Sequence, residues 1–313
     1  LVVRQVPLPE PGEGDVLIRV KAAEINKADC ELRSFNFPVK WFWLPLRLAF
    51  GVFRPRRPIL GGYFSGEVVS APAGGEGHLK PGDAVFGCAQ MRMGAHAEFV
   101  TLPADYPLAI KPAGIGYPEA AALPLGALNA VHFLDRAELR AGQSILIVGG
   151  GGSIGLAAIQ MAKARGAVVT VVDKSSKEPV VRDAGADHFI DYTRESYADR
   201  EERYDVVFTM VPSDSYNAGL NQLKPAGCYV MGNPRLVNML RSVLTGMTSS
   251  RRVVFAFAPE TSEALVRITR MVEAGELRPL VDTVLPLSAV VEGHRRVENE
   301  QRSGSIVLDL ESR

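Results

Sequence analysis

The stretch ILIVGGGGSIG, residues 145–155, decides how this chain folds. An apolar run, Ile145 to Val148, ends in four consecutive glycines, and Gly155 follows after Ser153 and Ile154. Such a run suits a strand buried on both faces, which a parallel sheet requires. The residues after it, SIGLAAIQMAKARG (153–166), have helical composition and close on Gly166. Within the glycines lies G-x-G-x-x-G, formed by Gly150, Gly152 and Gly155. Alone the pattern is weak; between a strand and a helix it is a dinucleotide-binding fingerprint. One glycine permits the tight turn, and one lets backbone approach a pyrophosphate. Gly155 lets the helix pack closely. The amides of Ser153 and Ile154, at the positive end of the helix, would face the phosphates.

Downstream, AVVTVVD supplies the next strand and ends at Asp173, 18 residues past Gly155. An acid there bonds both ribose hydroxyls of NAD and repels the extra phosphate of NADP. Lys174, Ser175, Ser176 and Lys177 follow at once and could hold that phosphate, so the two signals oppose each other. Asp173 tips the reading towards NAD(H); Lys177 stays a cofactor-binding candidate. HFID, YDVVFTMV, AGCYVMG and RRVVFAFA add apolar strands with helical stretches among them. Strands alternating with helices predict an α/β fold, a Rossmann-type doubly wound parallel sheet over residues 113–258. Residues 1–112 read as β-rich, with DVLIRVKAAEI, SGEVVSA and PGDAVFG as strands and turns. Residues 259–313 return to that style through VDTVLPL and SIVLDL.

A chain of 313 residues can hold two ordinary domains. Lys+Arg and Asp+Glu both number 35, so nothing suggests a nucleic-acid groove or a polybasic membrane anchor. Three scattered cysteines, Cys30, Cys88 and Cys228, form no CxxC pair, which suits the reducing cytoplasm. No signal peptide is visible, although the sequence starts at Leu1 without a methionine. WFWLPLRLAFGVF, residues 41–53, is too short to span a membrane and is interrupted by Pro45 and Arg47. It is read as a buried loop or helix, or as an aromatic wall (Trp41, Trp43, Phe50) of an apolar substrate pocket or subunit contact.

Further stretches carry a resemblance. AGQSILIVGGGGSIGLAAIQMAKARGA (141–167) and AGADHFIDY (184–192) look like the medium-chain dehydrogenase/reductase superfamily. INKADCELR (25–33), RPILGGYFSGEVV (57–69), LKPGDAVFG (79–87), GAHAEFV (94–100) and AAALPLGALNAVHFL (120–134) match in the same order. The resemblance covers nearly the whole chain and is closest to the zinc-independent quinone-oxidoreductase-like branch. It implies a GroES-like catalytic domain, a Rossmann domain and a C-terminal segment returning to the first. Zinc-dependent members hold catalytic zinc with a cysteine, a His-Glu pair and a second cysteine. At those positions this chain has Asn26, Gly62 with Tyr63, and Leu125. Asn, Gly and Leu cannot supply zinc ligands, so no metal is expected. Without a Lewis acid, hydride transfer to an activated double bond or quinone is favoured, because the substrate's own conjugated carbonyl takes up the charge.

The same resemblance directs attention to single residues. Asn26 sits at a polar position near nicotinamide and substrate, and reads equally well as a cap for the helix KADCELR. Asp29 and Arg33 are spaced for a helical ion pair. Tyr63 replaces the usual acid; its phenol could donate to a developing enolate, or the ring could simply pack. Asn129, Tyr192, Val211, Gly232 and Asn233 match cofactor-facing positions, with Tyr192 over the adenosine. TMVPSD replaces the usual Asp-x-Val-Gly beside the nicotinamide. His96 and His132 stand alone and read as structural. The expectation is an NAD(P)H-dependent reductase of an enone, enoyl or quinone, with an apolar small-molecule substrate and neither nucleic acid nor membrane as partner. Relatives are often dimers, so a homodimer stays open. The alternatives are a metal-free carbonyl reductase or alcohol dehydrogenase, and a nucleotide-binding relative without catalysis.

Overall fold

The computed structural model describes residues 1–37, 43–53, 55–72, 79–211, 214–232, 235–255 and 258–312. Trp41 and Asn233, two of the candidate site residues, lie outside this set. The chain divides into two compact units. The first comprises Leu1–Phe37, Trp43–Leu125 and Glu260–Arg313, and the second contains Gly126–Pro259.

The first unit is a seven-stranded sheet of β1 (Asp15–Ile25), β2 (Tyr63–Ser70), β3 (Ala84–Cys88), β4 (Phe99–Pro103), β5 (Leu108–Ile110), β12 (Val281–Pro286) and β13 (Ser305–Asp309), strands being numbered through the whole chain. The order is β12-β13-β1-β2-β3-β5, with β4 also on β1. β1 organises it. Its first half pairs antiparallel with β4 and its second half with β13, while β2 runs along its other edge. Two register shifts against β2 bend β1, which lets one strand serve three partners. Ile18, Val20, Phe64, Val85, Ile306 and Leu308 meet in the core from both ends of the chain. The helices α1 (Lys27–Ser34), α2 (Trp43–Phe50), α3 (Tyr117–Ala121), α9 (Ser262–Glu273) and α10 (Val290–Glu298) also belong here. α3 packs on β1, β2, β3 and β13, and Ser65 donates to the Tyr117 carbonyl at 2.6 Å. The boundary placed after residue 112 by sequence therefore falls after Leu125.

In the second unit six parallel strands run in the order β11-β10-β9-β6-β7-β8. They are β6 (Ser144–Val148), β7 (Val168–Asp173), β8 (His188–Asp191), β9 (Tyr204–Thr209), β10 (Leu223–Met231) and β11 (Arg252–Phe255). Ile145, Leu146 and Ile147 are fully buried, as the apolar run required. The chain moves outward from β6 to β8, then returns to the far side of β6 for β9 to β11. That reversal between β6 and β9 opens a crevice at their carboxyl ends, the place where doubly wound sheets bind ligands. The helices are α4 (Leu123–Ala137, which begins in the first unit), α5 (Ser153–Ala164), α6 (Glu178–Asp183), α7 (Tyr216–Asn221) and α8 (Leu236–Thr248). Among the described residues, no helix is long and apolar enough to cross a membrane.

Candidate active site

The glycine loop leaves β6 at this crevice. Gly149 has φ of 83°, a left-handed backbone that favours glycine. A Cβ on Gly150 would strike the Val171 side chain of β7, and one on Gly155 would lie 2.5 Å from the Gly150 Cα. Packing alone explains both glycines. Gly152 is different. Its φ of −94° and ψ of 171° suit any residue, and a Cβ there meets nothing within 4 Å. The fold gives no reason for glycine at 152, whereas a ligand that must reach the backbone does. Gly152 is also the N-cap of α5 and brings no side chain to bond the first turn. The first-turn amides of Ser153 and Ile154 are therefore left without a side-chain cap, at a helix start whose N–H groups suit an anion.

Neighbouring elements close around the loop. The Val211 side chain lies where it would come within 2.9 Å of a Cβ on Gly149, and its amide is held by Thr209 Oγ1 at 3.2 Å. Gly232 donates to the Thr209 carbonyl at 3.0 Å, and a Cβ on it would collide with the Met210 sulfur. Asn129, half-buried on α4, lies one turn after Gly126, where α4 comes so close to α5 that a Cβ would sit 2.6 Å from the Ser153 carbonyl oxygen. Asn129 thus falls beside the face of α4 that meets the start of α5. From the substituted TMVPSD loop, Asp214 accepts the Tyr197 hydroxyl at 2.6 Å.

Asp173 does something the sequence reading did not foresee. It turns inward: Oδ2 accepts from the Gly151 amide and Oδ1 from the Lys174 amide, each at 2.8 Å. The Lys177 ammonium lies 3.8 Å from Oδ1, and both side chains are buried. The carboxylate ties β7 to the glycine loop, and the Lys177 stem covers Gly151. Tyr192 follows β8, its amide donating to the Asp173 carbonyl at 3.2 Å. Its ring is 57% exposed, a free face beside the end of β7.

In the first unit, Asn26 caps α1. Its Oδ1 accepts from Ala28 N at 2.8 Å and Asp29 N at 3.3 Å, and its own amide donates to Asp29 Oδ2 at 3.0 Å. This reciprocal capping box leaves the side-chain amide nitrogen as the group Asn26 can offer elsewhere. Asp29 is buried, and its Oδ1 accepts from Gly61 N at 3.0 Å. Burial raises its carboxyl above the ordinary value, against the lowering effect of His96 and of the Asn26 and Gly61 amides. The helical pair expected between Asp29 and Arg33 does not form, because Asp29 is used inside and Arg33 pairs with Glu298. His96, with Nε2 3.1 Å from the Glu24 carbonyl, is structural.

Through Gly61 the same network positions Tyr63, the first residue of β2. Tyr63 lies opposite Cys88 of β3, and its hydroxyl donates to Glu260 Oε1 at 2.7 Å. Burial, reinforced by Glu260, pushes the phenol far up, so it stays protonated. Burial also raises Glu260, with the Tyr63 hydrogen bond acting against it. Sequence reasoning missed Glu260. PETSEAL carries only a capping signal, and Thr261 does cap α9. On α2, Trp43 is exposed and Phe50 buried. Among the described residues, no group of three or more His, Cys, Asp or Glu could hold a metal.

Residues 12–113 match the alcohol dehydrogenase GroES-like domain and residues 184–308 the zinc-binding dehydrogenase family. The chain is 30% identical over 328 residues to a mitochondrial NAD(P)H oxidoreductase of Danio rerio, covering 95% of this chain and 84% of that protein. It is 30% identical over 314 residues to a chloroplastic NADPH-dependent alkenal/one oxidoreductase of Arabidopsis thaliana, covering 97% and 74%. The solved quinone oxidoreductase from Coxiella burnetii matches with a TM-score of 0.84 at 26% identity, covering 97% and 93%. The chain belongs to the medium-chain dehydrogenase/reductase superfamily, in its quinone-oxidoreductase-like branch.

Proposed function

We propose that this chain is an NAD(P)H-dependent reductase of activated carbon–carbon double bonds or quinones that works without a metal. The observation that carries it is Gly152, a glycine with no structural cause at the uncapped start of α5. The names of the relatives support the same reading. When bound, the reduced nicotinamide supplies the hydride. The chain supplies the rest. Gly150, Gly152, Ser153, Ile154 and Gly155 hold the pyrophosphate, and Tyr192 offers an aromatic face to the adenine. Asn129, Val211 and Gly232 line the nicotinamide side. With Asp173 buried against Lys177, its repulsion of a 2′-phosphate is weakened, so the ground for preferring NAD(H) is reduced.

Metal-free chemistry is supported by the capping role of Asn26 and by the phenol at 63, which stays protonated and is no zinc ligand. We assign Tyr63 as the donor that meets negative charge on the substrate. The phenol has one hydrogen and gives it to an ionised Glu260; burial holds Glu260 towards its neutral form, whose own O–H can donate to the phenolic oxygen 2.7 Å away and leave the Tyr63 hydrogen for the substrate. Asn26 can offer its amide nitrogen to a carbonyl oxygen. Trp41, Trp43 and Phe50 belong to a segment suited to an apolar substrate. Three buried cysteines, none in a disulfide, suit the cytoplasm.

The test is loss of reduced-nicotinamide absorbance with quinones, enones and aldehydes, run with NADH and NADPH and repeated with chelator. Turnover on enones or quinones that survives chelation is expected. Saturable cofactor binding without turnover on any substrate would overturn the enzymatic reading. Tyr63→Phe should lower turnover while cofactor affinity holds, and unchanged steady-state rates would remove Tyr63 from the mechanism.

A further inference from the structure

The loop TMVPSD, which departs from Asp-x-Val-Gly, is tied down by its own last residue. Thr209 stands at the place of the acid in that pattern, and a carboxylate arrives five residues later, on Asp214. The Asp214 amide donates to the Val211 carbonyl at 3.1 Å, while the Val211 amide donates to Thr209 Oγ1 at 3.2 Å. The backbone of Val211 is thus held from both sides. The Asp214 carboxylate is fixed in turn by two further elements. Its Oδ1 accepts the hydroxyl of Tyr197, in the turn Tyr197–Asp199, at 2.6 Å, and the Ser215 amide at 2.9 Å. Ser215 caps α7, its Oγ accepting from Ala218 N at 3.4 Å.

The anchors are set in a packed core. Tyr197 is buried with Val207, Tyr216 and Tyr229. Burial, reinforced by Asp214, raises its phenol, so it stays protonated and donates. Burial also raises the Asp214 carboxyl, against the lowering effect of the Tyr197 hydroxyl, the Ser215 amide and the Thr209 hydroxyl. α7 comes so close to β10 that a Cβ on Gly219 would lie 2.4 Å from the Tyr229 ring. Thr245 shares a 2.8 Å hydrogen bond with the Tyr216 hydroxyl, so α8 meets this core through a polar side chain while Leu240 and Leu244 stay exposed. At the far end of these contacts, the Val211 side chain lies against Gly149, whose left-handed backbone begins the glycine loop. Asp214 Oδ2 is buried without a hydrogen-bond partner, which weakens the fold, so stability does not account for an acid here.

We propose that Asp214 is a positioning residue, which through Val211 fixes the nicotinamide end of the dinucleotide against the glycine loop. The inference rests on the assignment of this crevice to NAD(P)H and of Val211 to its nicotinamide side. The adenosine half is held by other parts, the first-turn amides of α5 and Tyr192. Asp214 therefore serves one half of the cofactor, and the two halves respond differently to its loss. A ring displaced by about 1 Å loses more in hydride transfer than in affinity, because the reacting atoms must be aligned.

The experiment is calorimetric titration of the full chain with NADH, NADPH and ADP-ribose, which keeps the adenosine and pyrophosphate and lacks the nicotinamide. A melting curve accompanies each variant. Asp214→Ala should weaken NADH and NADPH roughly five- to fifty-fold, the loss of one or two hydrogen bonds. ADP-ribose should stay within about two-fold of the parent. Turnover should fall further, by up to about a hundred-fold. Asp214→Asn keeps an acceptor for the Tyr197 hydroxyl and should restore most of both. Tyr197→Phe should reproduce part of the defect, whether or not Asp214→Ala folds, and should add little to it in the double variant. The inference is overturned if folded variants bind NADH like the parent, or if asparagine rescues nothing. It is overturned equally if ADP-ribose weakens as much as NADH, the mark of a merely structural residue. A parent that binds none of the three ligands overturns the cofactor reading itself; a parent that binds all three, beside variants that do the same, removes only the role of Asp214.

Discussion

Gly152→Ala separates a loop that binds phosphate from a loop that merely turns. In the fold the change is close to neutral. Replacing Gly by Ala where φ and ψ allow it gains about 0.4–1 kcal/mol from the unfolded chain. Gly152 is an N-cap, where Ala is poorer than Gly by a similar amount, roughly 1 kcal/mol. The new methyl meets nothing within 4 Å, so no packing strain adds to this. The unfolding midpoint should therefore move by no more than about 2–4 °C. Cofactor binding should change far more. A methyl group needs about 3.5–4 Å to the nearest heavy atom, against about 2.9 Å for an amide donating to oxygen. The phosphate is then pushed off the α5 amides, and one charge-assisted hydrogen bond worth about 1.5–3 kcal/mol is lost. Affinity should fall roughly 10- to 150-fold. Fluorescence titration with NADH and NADPH, beside a melting curve, reads both quantities. An unchanged Kd in a folded variant would refute the phosphate site. A large drop in midpoint with Kd intact would show that Gly152 is structural after all. Gly155→Ala is the contrast: there the methyl meets Gly150 backbone at 2.5–2.6 Å, and the fold itself should lose about 1–3 kcal/mol.

Other expectations follow from buried groups. Glu260 is raised in the fold, so the unfolded chain ionises first, and a stability cost appears as pH rises past the ordinary value of 4.5. Glu260→Gln keeps the acceptor for Tyr63 and should unfold later than the parent at pH 7, the advantage vanishing near pH 4; equal midpoints at pH 7 would contradict the burial argument. His294, buried with Nδ1 3.3 Å from Cys30 Sγ, is lowered by burial from 6.5 to about 3. Stability should therefore fall as pH drops from 6.5 towards 3, by up to about 1.4 kcal/mol per pH unit from this group. His294→Asn should flatten the acid limb of a denaturant midpoint series. Tyr63→Phe should also cost about 1–3 kcal/mol by leaving the buried Glu260 oxygen without its donor.

What could be read in sequence was local. ILIVGGGGSIG declares a strand, a turn and a helix within one short span, and the alternation after it declares the sheet. What could not be read depends on atoms brought from elsewhere. Gly150, Gly152 and Gly155 look equivalent in a motif, but only the space opposite each shows that two serve packing and one does not. Asp173 ends its strand as expected, yet its direction is set by the Gly151 amide and the Lys177 ammonium. Glu260 lies 197 residues from Tyr63, and no spacing rule links them. The three-and-four spacing along 236–247 is helical, but periodicity cannot say which face meets the protein.

The sharing of β1 between β4 and β13 has a consequence for synthesis. β13 begins 280 residues after β1 ends, with the whole second unit emerging in between. At a translation rate of 5–20 residues per second, the second half of β1 keeps one edge bare for roughly 15–60 s. Unprotected edges recruit foreign strands, so the nascent chain depends on chaperone cover through that interval. A ribosome that stalls between Pro259 and Ser305 releases a protein whose nucleotide-binding half is complete and whose other half lacks β13.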